Sequence, residues 1–148
     1  LWIAARLPGL VAVEQEFARG SASPAWDPSL ARIGEFAAAR AGEAVFVASD
    51  WGVATQILCF GNGRPGLVHE PFWHYRGPEQ LREITRTRDH RVFYLVRLRN
   101  SPRVVPGATD RIERDLAADP GLREVPAEPE AASLREVLVR KFIALPEG

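Results

Sequence analysis

The chain has 148 residues, 46% of them hydrophobic and 26% charged, with 12 glycines, 12 prolines, and 19 basic residues balanced by 19 acidic ones. That length suits one domain with a sizeable core, and the composition excludes a collagenous, low-complexity or intrinsically disordered chain. Zero net charge removes any general pull toward nucleic acid or anionic lipid, so no nucleic-acid partner is expected.

The first thirteen residues are strongly apolar but broken by Arg6, Pro8 and Gly9. No run reaches the roughly 18 apolar residues of a membrane span. A signal peptide would carry its charge ahead of the apolar stretch and a cleavage site after it, and neither pattern is present. The chain starts at Leu1 and contains no methionine, so it reads as a piece of a longer polypeptide. Residues 1–20 are expected to form a packed or juxtamembrane segment, Gly20-Ser21-Ala22-Ser23-Pro24 a small-residue linker, and residues 21–148 a single domain.

Asp27-Pro28 has the form of a helix start, and Leu30, Ile33, Phe36 and Ala37 follow at helical spacing until Ala41-Gly42. Ala44-Val45-Phe46-Val47-Ala48 is a continuous apolar run of the kind buried on both faces of a parallel sheet. Ser49-Asp50 is expected to cap a helix from Trp51 to Phe60, closed by the turn Gly61-Asn62-Gly63. A short apolar stretch at Gly66 to His69 leads to Glu70-Pro71-Phe72-Trp73-His74-Tyr75. Gly77-Pro78-Glu79 opens a helix that turns Leu81 and Ile84 inward, with Glu79 in its first turn and Arg86 and Arg88 in its last, matching the helix dipole.

Arg91 to Arg99 is the clearest strand. Ile112 and Leu116 mark a helix between Pro106-Gly107 and Pro120-Gly121, and Leu122 to Val125 fits a further strand. Leu134 to Ala144 fits either state by periodicity, and its β-branched density favours a strand. The alternation of strands and helices predicts an α/β layered domain. Its central sheet is expected to be mostly parallel, with an antiparallel C-terminal strand pair joined through a Pro126 to Ala132 loop.

Ligands of such sheets gather beyond the carboxyl ends of the strands. There the order of elements places Ser49, Asp50, Trp51 and Gly52 after the first strand. His69, Glu70, Trp73 and His74 follow the second, and Asn100 and Ser101 the third. Helix capping alone accounts for Ser49 and Asp50, and a core anchor for Trp51. His69 and His74 lie five apart across a proline, which is not the four-residue spacing of a zinc helix, so no metal or cofactor is expected. Gly61 to Gly66 follows a helix and leads toward a strand, the reverse of a phosphate loop. Cys59, the one cysteine, sits in an apolar run and is expected to be buried. Residues 76–103 hold eight arginines and three acids. A solvated face explains them, with an anionic lipid surface or polyprenyl phosphate as the alternative. No nucleophile-elbow motif is present.

One arrangement is more specific than its parts. Ser23-Pro24-Ala25-Trp26-Asp27-Pro28 leads into a helix, followed by the strand Ala44 to Ala48 and then Ser49-Asp50-Trp51-Gly52-Val53-Ala54-Thr55-Gln56-Ile57-Leu58. The turn Gly61-Asn62-Gly63-Arg64 comes next, and the strand Val137 to Phe142 comes last. Over about residues 20 to 143 this resembles the soluble C-terminal domain of polytopic membrane glycosyltransferases of the GT-C type. These are relatives of the dolichyl-phosphate-mannose–protein mannosyltransferases and of the bacterial lipid A aminoarabinose transferase. The resemblance implies an extracytoplasmic domain on the outer or periplasmic face of a bacterial membrane. Its partners would be the membrane-embedded body of the same polypeptide and a glycan or lipid-linked sugar. The family's catalytic aspartate belongs to that body, so no catalytic residue is carried over, and Asp50-Trp51-Gly52 matches an architectural turn. The expected function is therefore an accessory or acceptor-recognition domain. The alternatives are a small α/β enzyme using Asp50, His69 and Glu70 as acid and base groups, and a protein-binding module anchored by Phe72, Trp73 and Tyr75.

Overall fold

The computed structural model of the chain describes residues 28–86, 92–100 and 104–146, together with Val11, Ala12 and Gln15. Helix α1 (Pro28–Ala39) is followed by β1 (Ala44–Ala48), α2 (Val53–Phe60), β2 (Val68–His69) and a 3-10 turn (Pro71–His74). Then come α3 (Pro78–Arg86), β3 (Val92–Leu98), α4 (Ala108–Ala118), β4 (Leu122–Val125), α5 (Pro129–Ala132) and β5 (Val137–Ala144). The five strands form one sheet in the order β2-β1-β3-β5-β4. Strand β1 pairs in parallel with both β2 and β3, whereas β5 lies antiparallel between β3 and β4. The α/β class, the largely parallel centre and the antiparallel terminal pair all follow the sequence pattern. The Gly20–Pro24 linker, the Asp27 cap, Arg88 in the last helical turn and Ser101 beyond the third strand lie outside the described residues.

Pleat parity sorts the apolar side chains into two cores. On one face Phe46, Tyr94, Val96, Val137 and Val139 pack against Leu30, Ile33 and Phe36 of α1 and Val53, Ala54 and Ile57 of α2. On the other face Val45, Val47, Phe93, Leu95 and Phe142 meet Phe72, Leu81 of α3, and Ala108, Ile112 and Leu116 of α4. The result is a three-layer α/β/α sandwich. All five residues of β1 are buried, as expected of an apolar run covered on both sides. Phe46 lies stacked on Tyr94 with ring centroids 5.0 Å apart, and Phe36 meets Tyr94 edge-on at 5.2 Å. Such aromatic contacts add to the area term. Gly34 permits α1 to approach α2, since a Cβ there would sit 2.6 Å from the Phe60 ring.

The connections show why β5 is a strand. Its register with β3, from Val92↔Ile143 to Leu98↔Val137, spans the full length of β3, and β4 pairs on its other side. Pairing on both edges rewards the β-branched residues that helical periodicity alone left undecided. Two features depart from the sequence reading. Helix α5 occupies part of the expected Pro126 to Ala132 loop, with Ala131 fully buried in the first core. Cys59 is exposed, not buried. Helix α2 buries Val53, Ala54 and Ile57 on one stripe, which turns position 59 outward although its neighbours are apolar. No helix among the described residues is long and apolar enough to cross a membrane.

Candidate edge site at the carboxyl ends of the parallel strands

After β1 the chain crosses to α2 on the first face of the sheet, and after the adjacent β3 it crosses to α4 on the second. Neighbouring strands whose exits diverge in this way open a crevice at their carboxyl ends, the usual ligand position of an open α/β sheet. The buried polar or charged residues among the described residues are Ser29, Ser49, Asp50 and Thr109. Three of these four meet at this one point.

Ser49 continues β1 by donating its amide to the Val96 carbonyl at 3.1 Å. Its own carbonyl accepts the Thr109 hydroxyl at 2.7 Å, tying the β1 exit to the first turn of α4. The Ser49 hydroxyl is fully buried and has no hydrogen-bond partner among the described residues. Buried polar atoms in that condition are few in native proteins and tend to mark sites.

Asp50 is 1% exposed, and its Oδ1 accepts the Trp51 amide at 2.9 Å. The expected cap is thereby corrected: helix α2 starts at Val53, its N-cap is Gly52, and no side chain caps it. Gly52 has φ 96°, a left-handed setting natural to glycine and strained for other residues. Helix α4 begins in the same manner on Gly107, at φ 70° and without a side-chain cap. Asp50 and Gly52 together make a tight turn whose consequence is the placement of Trp51. That side chain is 54% exposed, which overturns its reading as a core anchor.

The β2 exit differs in construction. His69 ends β2 opposite Val47 of β1 and is half-buried. Glu70 follows and is exposed, while partial desolvation raises its carboxyl above the ordinary value. The 3-10 turn then sinks Phe72 into the second core at 1% exposure and leaves Trp73 outside at 45%. The two rings touch, with centroids 4.8 Å apart, so the buried phenyl supports the exposed indole. His74 is exposed. Tyr75 is half-buried, and its hydroxyl donates to Asp115 Oδ2 at 2.6 Å. Desolvation and that bond hold its phenol well above the ordinary range. Of the three aromatics expected as an exposed anchor, only Trp73 is presented to solvent.

Past the carboxyl ends of β1, β2 and β3 the chain thus carries the buried Ser49, Asp50 and Thr109, the two exposed tryptophans Trp51 and Trp73, and the exposed polar side chains Glu70, His74, Arg76, Arg99 and Asn100. Sequence order placed the predicted residues at one edge but did not distinguish buried Asp50 from exposed Trp51. Thr109 was missed, because it is 60 positions from its partner Ser49. Its only local signal was its place just after Pro106-Gly107. Among the described residues no group of three His, Cys, Asp or Glu side chains is placed to hold a metal ion.

Among the described residues, ion pairs join helices at Arg82 with Glu79 and Asp119 and at Arg40 with Glu130, and the strand-borne ones belong to the antiparallel half. Arg97 on β3 pairs with Glu113 on α4 at 2.5 Å, and Arg140 on β5 grips Glu124 on β4 through bonds of 2.8 and 2.6 Å. On the opposite face Glu128 accepts the Tyr94 hydroxyl at 2.9 and 3.0 Å and the single lysine, Lys141, at 2.5 Å. Each of these charges is matched by an opposite one across strands or to a helix, the arrangement of a scaffold. No protein-family model, curated protein or solved structure matches this chain at a significant level.

Proposed function

We propose that the chain is an accessory, acceptor-recognising domain of a polyprenyl-phosphate-sugar-dependent membrane glycosyltransferase, positioned on the extracytoplasmic face and fed by a catalytic body elsewhere in the polypeptide. The observation that carries this reading is the Asp50-Trp51-Gly52 turn. The aspartate is buried and spends one carboxylate oxygen on the next backbone amide, so its work is architectural, as the resemblance implies for this motif. The turn lifts an indole to the edge where α/β sheets receive ligands.

The test is the reading frame that encodes the chain. A long multi-span region ahead of Leu1 is expected, and deleting residues 28–146 from that protein should abolish or redirect transfer while leaving the membrane body inserted. A frame with no multi-span region ahead of Leu1 overturns the proposal.

A further inference from the structure

Helix α2 meets solvent differently from its neighbours. Among helices α1 to α5 it alone carries no charged residue, and the uncharged stretch runs from Trp51 to Gly63. The exposed positions of α3 include Glu79 and Glu83, and those of α4 include Asp110, Arg111 and Arg114, as is normal for helices that face water. Helix α2 instead turns outward Thr55, Leu58 and Cys59, a single stripe at i, i+3 and i+4, and Asn62 extends it just past the helix end. Leu58 is 43% exposed, and Phe60, 39% exposed, flanks the stripe where its ring lies against Gly34 of α1. The opposite stripe, Val53, Ala54 and Ile57, is buried in the core. A helix that is apolar on both sides is one that is covered on both sides.

The chemistry of this face selects its cover. A hydrocarbon surface would strip water from Thr55, Gln56 and Asn62 and return no hydrogen bond. A strongly charged partner finds no opposite charge on α2, and on the exposed stripe of the adjoining α1 Arg32 and Glu35 cancel. A second copy of the chain meets both conditions. In a two-fold contact a surface faces itself, so it must be free of unbalanced charge and must match its own pattern. An antiparallel pair of α2 helices centred between positions 58 and 59 sets Leu58 of each copy against Cys59 of the other. The same register sets Thr55 against Asn62, so apolar groups meet apolar groups and hydrogen-bonding groups meet their like.

We propose that the outer face of α2 is a two-fold interface between copies of this chain, with Leu58 and Cys59 at its centre and Phe60 at its rim. An eight-residue helix covers less than a standard interface, so weak association is expected, with Kd on the order of 0.1 mM. The interface is a property of the chain itself and does not depend on the parent enzyme proposed above.

The experiment is sedimentation equilibrium of the reduced 148-residue chain, from about 10 μM to about 1 mM so as to bracket the expected Kd. A monomer–dimer equilibrium is expected. Leu58→Arg sets two like charges at the two-fold axis and should weaken the dimer about tenfold or more, with the thermal midpoint of the dilute monomer unchanged because the side chain lies outside the core. Leu58→Gln, which adds no charge, should weaken it less, and Glu83→Arg on α3 should leave it intact. A short bismaleimide should join Cys59 of one copy to Cys59 of the other in the parent chain and fail to do so in Leu58→Arg. A chain that stays monomeric at the highest concentration, a dimer indifferent to Leu58→Arg, or equal cross-linking in the two proteins overturns the interface. Leu58-dependent binding of a monomeric chain to phosphatidylcholine vesicles assigns the face to lipid and overturns it equally.

Discussion

The parallel and antiparallel halves of this sheet use polar residues in opposite ways. Strand β1 carries no charged side chain and is buried throughout, and its polar groups appear only past its end, at Ser49 and Asp50. Strand β5 carries Arg140 and Lys141 in mid-strand, and β3 contributes Arg97 and Tyr94 toward them. The difference follows from cover. Strand β1 has β2 and β3 beside it and helices α1, α2, α3 and α4 above and below. Strand β5 is flanked by the short edge strand β4, and most of its residues retain some exposure. Charged side chains there reach partners and water together, which makes their desolvation modest. The charge-rich half is thus internally matched, while the charge-poor half opens its edge to solvent with two indoles.

The comparison breaks most readily in the parallel core. Phe46→Ala removes a fully buried ring that contacts Tyr94 and Phe36, and is expected to cost about 3–5 kcal/mol, read from the midpoint of urea unfolding. A loss under about 1 kcal/mol would mean that the parallel half is not the stability centre. Glu128→Ala tests the antiparallel half. It strips the buried Tyr94 hydroxyl and Lys141 of their shared acceptor, and about 2 kcal/mol of loss is expected in the same assay. Lys141→Met added to it should recover part of that loss, whereas no recovery would show that the lysine contributes nothing.

The pH dependence separates carboxylates from phenols by sign. Hydrogen bonding from Arg140 holds the Glu124 carboxyl below its ordinary value. Burial acts to raise Glu128, but donation from Lys141, its own backbone amide and Tyr94 leaves it lowered overall. A depressed folded value stabilises the fold above the unfolded pKa near 4.5 and loses that contribution as pH falls through the folded value. The Tyr75 and Tyr94 phenols are raised, by desolvation first and by their carboxylate acceptors second. Their contribution is complete below the unfolded value of 10.0 and is lost as pH rises above it toward the folded value. Thermal melts across pH should therefore show loss at both extremes. Glu124→Gln should flatten the acid limb and Tyr75→Phe the alkaline one, and unchanged limbs in these variants would contradict the assignment.

The smallest effect is expected at the edge turn. Gly52→Ala forces a left-handed φ of 96° on a side chain that meets open space, so backbone strain of about 1 kcal/mol is the whole cost. A much larger loss would mean that the turn holds the sheet together as well as presenting Trp51.

Much of the scaffold was legible in the chain because local pattern and burial agree. The run Ala44 to Ala48, the alternation from Val92 to Leu98, and the helix starts at Pro28 and Pro78 each stand where periodicity and turn residues placed them. The errors share one cause. Cys59 is apolar in context but points away from the stripe that α2 buries, and Trp51 is large enough for any core but is held outside by its turn. In both, the direction of a side chain depends on what lies across the interface. Helix α5 was hidden for a related reason, since four residues are too few to show a period.

By itself the sequence determined the α/β class, the strands that run bare of charge, and the edge at which chemistry-bearing residues would gather, because these follow from periodicity and element order. Only the tertiary structure decided the strand state of β5, the joining of Thr109 to Ser49 across 60 positions, and the division of Asp50-Trp51-Gly52 into a buried carboxylate and an exposed ring. Those outcomes depend on contacts between segments distant in the chain, which no local pattern encodes.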